Sequence, residues 1–285
     1  MNDCLYNMSR SIALWFKKFN NPPTFLEADT KWSLNKFFDF SEGRFIFPNP
    51  YWYQCGRSNS CMLSKVNYKD DPPNTYVIWK ESQIVWDANE KALSLITEPN
   101  KDAGKQIIPD WGSAPVEPKT CSGEIVSWPS EGMYQGRVEV CMKVPSSGVK
   151  YWPAFWSWIQ DSGGANPIKE GDINEIDFAE FENSDSKGFT ITVYQWQSGR
   201  AVQVFHKSFS FSTDLSQQYH IYHFEWTATS ITFFLDGFAL CRFSKALPIR
   251  PIYLWIGNSV SRGFQGMIEK ASLYIKYVKV YKKIV

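Results

Sequence analysis

The sequence predicts an all-β protein, an antiparallel β-sandwich preceded by a short N-terminal helix. Three observations carry that reading. Short alternating segments are punctuated by turn signals, NNPP at residues 20 to 23, DDPP at 70 to 73 and a polar loop over 101 to 120. The stretch SITFFLDGFALCRF (230 to 243) places Asp236-Gly237, a pair suited to a type I′ turn, between two aromatic-rich strands. After residue 20 no long run keeps a helical period, and no internal repeat or low-complexity tract appears.

Taken in order, residues 1 to 30 form an extension in which Leu5, Met8, Ile12, Trp15 and Phe16 fall at helical spacing. They predict a short amphipathic helix that packs on the domain or, in a sharper reading, docks to a larger assembly. Residues 31 to 285 are expected to be one domain, since all-β sandwiches of this size are often undivided. In GRVEVCMKV (136 to 144), Val138, Val140, Met142 and Val144 share one face of a strand. FTITVYQW (189 to 196) and LYIKYVKVYKK from Leu273 read as further strands, the second closing the sheet.

Composition narrows the function classes. The chain is 44% apolar and 21% charged, enough for a sizeable core and without the bias of a disordered protein. A formal charge of +1 gives no push toward nucleic acid or an acidic membrane. No apolar run is long enough for a membrane span, and the longest N-terminal one, residues 12 to 16, is too short for a secretory signal. The localisation is left open. Aromatic residues make up 17% of the chain, with 13 Trp, and rings serve both cores and apolar ligand faces.

Cysteines 4, 55, 61, 121, 141 and 241 form no C-x-x-C pair and have no His at zinc spacing. They read as mostly free thiols, or at most one or two disulfides, with Cys55 and Cys61 able to close a small loop. His220 and His223 stand three apart in a predicted strand and so face opposite sides. With His206 they read as structural rather than metal-binding. No G-x-S-x-G and no phosphate-binding glycine loop is present.

The stretch NEIDFAEFEN (174 to 183) carries the chemistry. Strict alternation would put Ile176 and Phe178 on one face with Glu180 and Glu182. One extra residue bulging near Phe178 and Ala179 sorts the strand instead. Glu175, Asp177, Glu180 and Glu182 then share one face, with Ile176, Phe178 and Phe181 toward the core. Side chains two apart on one face are separated by about 6.6 Å at Cα, so Glu175 and Glu180 can converge beside Asp177. Retaining glycosidases need two carboxyl groups roughly 5 to 5.5 Å apart. Neighbouring ionised acids also repel, which raises the pKa of at least one. A solvated acidic strand is the plain alternative on this stretch alone.

The wider context resembles glycoside hydrolase family 16 in its laminarinase-like branch, whose signature E-[I/L]-D-x-x-E stands here as Glu175-Ile176-Asp177-Phe178-Ala179-Glu180. TCSGEIVS (120 to 127), GRVEVCMKVPSSGVKYWPAFW (136 to 156), YHIYHFEWTATSITFFLDG (219 to 237) and YIKYVKVYK (274 to 282) are similar to family segments in the same order. KWSL and VWDANEKALSLIT match more weakly upstream. The resemblance implies a jelly-roll sandwich with a concave sugar-binding cleft. It implies Glu175 as nucleophile, Glu180 as acid/base and Asp177 as the acid that orients the nucleophile.

The substrate-binding candidates are Trp152 and Trp156 from W-P-A-F-W, Tyr194 and Trp196 from the next strand, and Asn258. Rings suit a pyranose because its C–H faces are apolar. Tyr194 stands where many members place a His, and Gly257 where an Asn is common, with Asn258 expected to compensate. No cofactor is required for the chemistry, and a structural calcium common in the family has no assignable ligands here. The expected function is an endo-acting retaining β-glycosidase on a β-1,3-glucan-like polysaccharide. An enzyme for an algal galactan (agarose, porphyran, carrageenan), and a non-catalytic carbohydrate-binding or particle-structural protein on the same fold, are the alternatives.

Overall fold

The structure is a computed structural model that describes residues 32–43, 52–54, 63–65, 76–102, 104, 117–127, 132–146, 151–159, 168–182, 185–260 and 268–284. The predicted N-terminal helix and Cys4, Cys55 and Cys61 lie outside the described residues. The strands are β1 (Trp32–Asp39), β2 (Trp52–Gln54), β3 (Leu63–Lys65), β4 (Tyr76–Trp79), β5 (Ile84–Asp87) and β6 (Ala92–Pro99). They continue with β7 (Thr120–Ser122), β8 (Glu124–Ser127), β9 (Gly136–Lys143), β10 (Tyr151–Trp158), β11 (Ile173–Glu180) and β12 (Gly188–Gln197). The last are β13 (Arg200–Ser210), β14 (His220–Trp226), β15 (Ile231–Leu235), β16 (Phe238–Phe243), β17 (Tyr253–Val260) and β18 (Ala271–Lys283). The helical element spanned in full by the described residues is a 3-10 turn, Glu81–Gln83.

Two sheets make the sandwich. An eleven-stranded sheet runs β16-β15-β14-β9-β18-β6-β7-β4-β3, with β1 added on β18 and β5 on β6. A seven-stranded sheet runs β13-β12-β11-β10-β17-β8-β2. All strand pairs are antiparallel except β4 with β7. The predicted strands over 136–144 and 189–196, and the closing strand, are β9, β12 and β18. KWSL enters β1, and VWDANEKALSLIT is the β5–β6 hairpin.

The alternation places the core between the sheets. Val138, Val140, Met142 and Val144 from the larger sheet are buried in one cluster with Ile176, Phe178, Phe181, Ile191 and Val193 from the smaller. Each such side chain contributes about 1.5–3 kcal/mol when taken fully from water. The β15–β16 turn has the positive φ that a type I′ turn needs at both central residues, 50° at Asp236 and 84° at Gly237. Asp236 also accepts the Ile221 N–H at 2.8 Å and pairs with buried His220 Nδ1 at 2.7 Å, which fastens the hairpin to β14.

The outer face of the larger sheet is closed by its own side chains. Arg137 pairs with Glu139 and with Glu225, and His223 stacks on Phe234 with centroids 4.1 Å apart. His220 and His223 thus face opposite sides and both serve the fold, as their spacing predicts. Cys121, Cys141 and Cys241 are buried, and none of the three is in a disulfide. No helix among the described residues is long and apolar enough to cross a membrane.

Candidate active site

The slip in the acidic stretch is a β-bulge. On the β10 side Phe155 pairs with Ala179 and Trp156 with Asp177, leaving Phe178 as the extra residue. On the β12 side Asp177 pairs with Thr192 and Glu180 with Thr190, so two residues of β11 oppose Ile191 alone. Phe178 and Ala179 are both buried in the inter-sheet core. Apolar burial of two successive side chains is what displaces the pleat and returns Glu180 to the face of Glu175 and Asp177. Glu182 departs from the expectation: it lies in a turn past the end of β11 and is exposed, so it does not extend the acidic row.

Cross-strand register turns this face into ordered rows. One row reads Glu124 on β8, Gly257 on β17, Ala154 on β10, Glu180 on β11 and Thr190 on β12. The next reads Trp255, Trp156, Asp177, Thr192 and, on β13, His206. A third reads Tyr253, Trp158, Glu175 and Tyr194. Directly opposed side chains sit about 4.5–5.5 Å apart at Cβ, so each row is a line of neighbours. The small pair Gly257 and Ala154 forms a low floor between the carboxylates Glu124 and Glu180.

That floor opens into a cavity of about 300 Å³. Glu175, Asp177 and Glu180 line it together with Glu124, Ala154, Gly257 and Ser259 and the rings of Trp79, Trp152, Trp156 and Trp255. Trp156 and Trp255 lie with centroids 4.9 Å apart and planes inclined by 32°. Such a trough offers flat apolar faces to a ring and hydrogen-bond acceptors to its edges. Among the described residues no Lys or Arg lines it. Among the described residues no group of three or more His, Cys, Asp or Glu could hold a metal ion.

The model of glycosyl hydrolases family 16 matches residues 73–257, well over half of the chain and the whole acidic strand. The chain belongs to that family. It is 28% identical over 211 residues to a beta-glucanase of Acetivibrio thermocellus, covering 72% of this chain and 54% of the relative. The chain therefore spans about half the length of that protein. Its fold is similar to the catalytic domain of an endo-1,3-beta-glucanase (laminarinase) from Thermotoga petrophila RKU-1, at a TM-score of 0.65 and 19% identity over 90% of this chain and 100% of that one. It is also similar to the kappa-carrageenase zobellia_236 of Zobellia galactanivorans, at 0.66 and 16% over 93% and 100%.

Within this family frame the sequence-derived candidates separate. Glu175, Asp177, Glu180, Trp152 and Trp156 all line the cavity. Tyr194 opposes Glu175 on the same face, and Trp196 follows it two residues on, but neither is among the residues lining the cavity. Asn258 is corrected: it is fully buried and belongs to the inward set of β17 with Leu254, Ile256 and Val260. Its carbonyl accepts hydrogen bonds from the hydroxyls of Thr97 and Ser122 inside the sandwich. Alternation from Gly257, which lines the cavity, turns the Asn258 side chain inward.

Sequence reasoning missed Glu124, Trp79, Trp255 and Ser259. Glu124 stands in the family-like segment TCSGEIVS, yet its aim into the cavity is decided by pairing with Gly257 across strands far apart in sequence. An added Cβ at Gly257 would lie 2.9 Å from Glu124 Oε1. Glycine is what lets that carboxylate lie over the strand. Trp255 carried a signal, since it alternates with buried Leu254 and Ile256, but its partner Trp156 emerges only from the β10–β17 register.

Proposed function

We propose that this chain is an endo-acting retaining β-glycosidase of the laminarinase-like branch, with residues 31 to 285 as one catalytic domain. The observation that carries the proposal is the bulge at Phe178, which brings Glu175, Asp177 and Glu180 onto one face at a tryptophan-lined trough. Glu180 protonates the glycosidic oxygen while Glu175 attacks the anomeric carbon, and the sugar–oxygen bond breaks as the glycosyl-enzyme ester forms. Glu180, now a carboxylate, takes a proton from the water that cleaves the ester and restores Glu175. Asp177, between them on the strand, orients Glu175 and tunes its charge.

A β-1,3-glucan-like polysaccharide is the preferred substrate. Four carboxylates line the cavity, and an anionic sugar would meet them at close range. That favours an uncharged glycan over a sulfated galactan. The laminarinase named above acts in the same sense, although the fold is shared equally with a carrageenase. Product analysis on laminarin, mixed-linkage glucan, agarose, porphyran and carrageenan decides the substrate. Anomeric proton NMR of the first product decides retention. Glu175→Gln should abolish turnover while leaving the melting transition in place; a variant as fast as the parent would overturn the assignment of the nucleophile. Binding of a glycan without new reducing ends would favour the non-catalytic alternative.

A further inference from the structure

The cavity does not use all the rings on the cleft face. At the Glu175 end of the acidic strand, one row beyond Trp255 and Trp156, stand Tyr253 on β17, Trp158 on β10, Glu175 on β11, Tyr194 on β12 and Gln203 on β13. Burial places the three rings on the cleft face independently of register. From Ala154 to Trp158 the side chains of β10 alternate between half-buried and buried. On β17 Tyr253 and Trp255 are half-buried, while Leu254 and Ile256 are buried. Phe155, Leu254 and Ile256 belong to the inter-sheet core, so Trp158 and Tyr253 point the other way. On β12 the core residues Ile191 and Val193 turn half-buried Tyr194 in the same sense.

The water-facing side of an antiparallel sheet ordinarily carries polar residues. Here a single row holds three large rings left partly in water, and core packing does not explain them, since the core lies on the opposite face. Adjacent half-exposed rings of this kind mark a ligand surface. Opposed side chains sit about 4.5–5.5 Å apart at Cβ, so Trp158 and Tyr194 flank Glu175 on its two sides and Tyr253 stands next to Trp158. None of the three rings is among the residues lining the cavity.

We propose that this row is a second sugar-binding platform, on which a pyranose of an uncharged glycan stacks against Trp158. The inference rests on the reading of Glu175 and Glu180 as the catalytic pair. Ring faces match the apolar C–H face of the sugar. The phenol hydroxyls and the exposed Gln203 amide, which both donate and accept, can serve its hydroxyl edge. The row contains no Lys or Arg to bind a sulfate. Along β10, Trp152 in the cavity and Trp158 on the platform are six residues apart, about 20 Å, and the acids lie across from the stretch between them. A long chain therefore reaches both surfaces at once. A short oligosaccharide that fills the cavity does not reach the platform.

The test uses the full chain carrying Glu180→Gln, which slows turnover and leaves the row of Glu175 intact. Affinity electrophoresis through gels holding laminarin, mixed-linkage glucan, agarose, porphyran or carrageenan, each compared with a glycan-free gel, reads binding without turnover. In that background W158L should weaken binding to the retarding glycan about three- to tenfold. W158F should restore most of it, because a phenyl ring keeps a flat face. Unchanged binding in W158L, or W158F binding no better than W158L, overturns the platform; so does a background chain that none of the five glycans retards. With Glu180 in place, W158L should lower kcat/KM on the polymer by a similar factor and on the shortest cleaved oligosaccharide hardly at all. An equal loss on both lengths would show that Trp158 acts on Glu175 and not on a distant sugar, which also overturns the platform. Electrophoresis needs no turnover, so it separates failure of the platform from failure of the glycosidase reading, which Glu175→Gln decides.

Discussion

Phe178 stacks face to face on Phe224, with ring centroids 3.8 Å apart and planes 5° apart. The two rings come from opposite sheets, and Phe155 closes on Phe178 from the next strand at 4.9 Å. The residue that is surplus to the strand register is thus packed in the core between two rings. Phe178→Ala should cost about 3–5 kcal/mol in stability, read as a lower denaturation midpoint in urea. Activity should fall beyond the loss of folded protein, because the anchored bulge is what aims Glu180.

Deletion of Ala179 is a sharper trial of the same geometry. It leaves E-I-D-F-E-F, in which strict alternation already puts the three acids on one face and the apolar residues on the other. Asp177 would still oppose Trp156, Phe178 would take the place opposite Phe155, and Glu180 would still meet Ala154. The expected outcome is a folded protein with measurable turnover at an altered rate, checked by circular dichroism and release of reducing ends. Loss of the fold would mean that the bulge does more than absorb one residue.

What was legible in the sequence was what short-range pattern decides. The clash between alternation and polarity in residues 174 to 183 located the bulge, and Asp236-Gly237 located the hairpin, because both are set by neighbours in the chain. The cleft's far wall was not legible in the same way. Glu124 and Trp255 reach the cavity through β8–β17 and β10–β17 pairing, whose registers join segments roughly a hundred residues or more apart in the chain. Asn258 was misplaced by one step of the pleat, which exchanges the cleft for the core.

Gly257→Ala should report on that far wall. The added methyl would stand 2.9 Å from Glu124 Oε1, 3.0 Å from its Cγ and 3.2 Å from its Cβ. Glu124 must then swing away from its place over the floor, at a cost of about 1–3 kcal/mol. A raised KM on the best glycan is expected, with kcat changed less, since Glu180 is not displaced. In the double variant with Glu124→Ala the stability loss should shrink, because the two changes share one contact. Additive losses would show that the methyl strains the backbone instead.

Alkaline pH should loosen the sandwich through partly buried thiol and phenol groups. Burial pushes the Cys241 thiol up from 9.0 to about 12, against a smaller opposing pull from Lys207. Burial also raises Tyr151 from 10.0 to about 12, helped by Glu269, and raises Tyr281 to about 12, helped by Glu139. In each case the folded chain holds its proton where the unfolded chain releases it. The unfolded state therefore binds fewer protons between the two values, and stability falls as pH rises. The contribution is fully present below about pH 9 for the thiol and about pH 10 for the phenols, and is lost progressively toward pH 12. Urea midpoints should hold from neutral pH to pH 9 as far as these groups are concerned and then decline. Cys241→Ala should flatten the first part of that decline, and Tyr151→Phe the later part, whatever each costs at pH 7. Decline curves of unchanged slope in both variants would show that other groups drive alkaline unfolding.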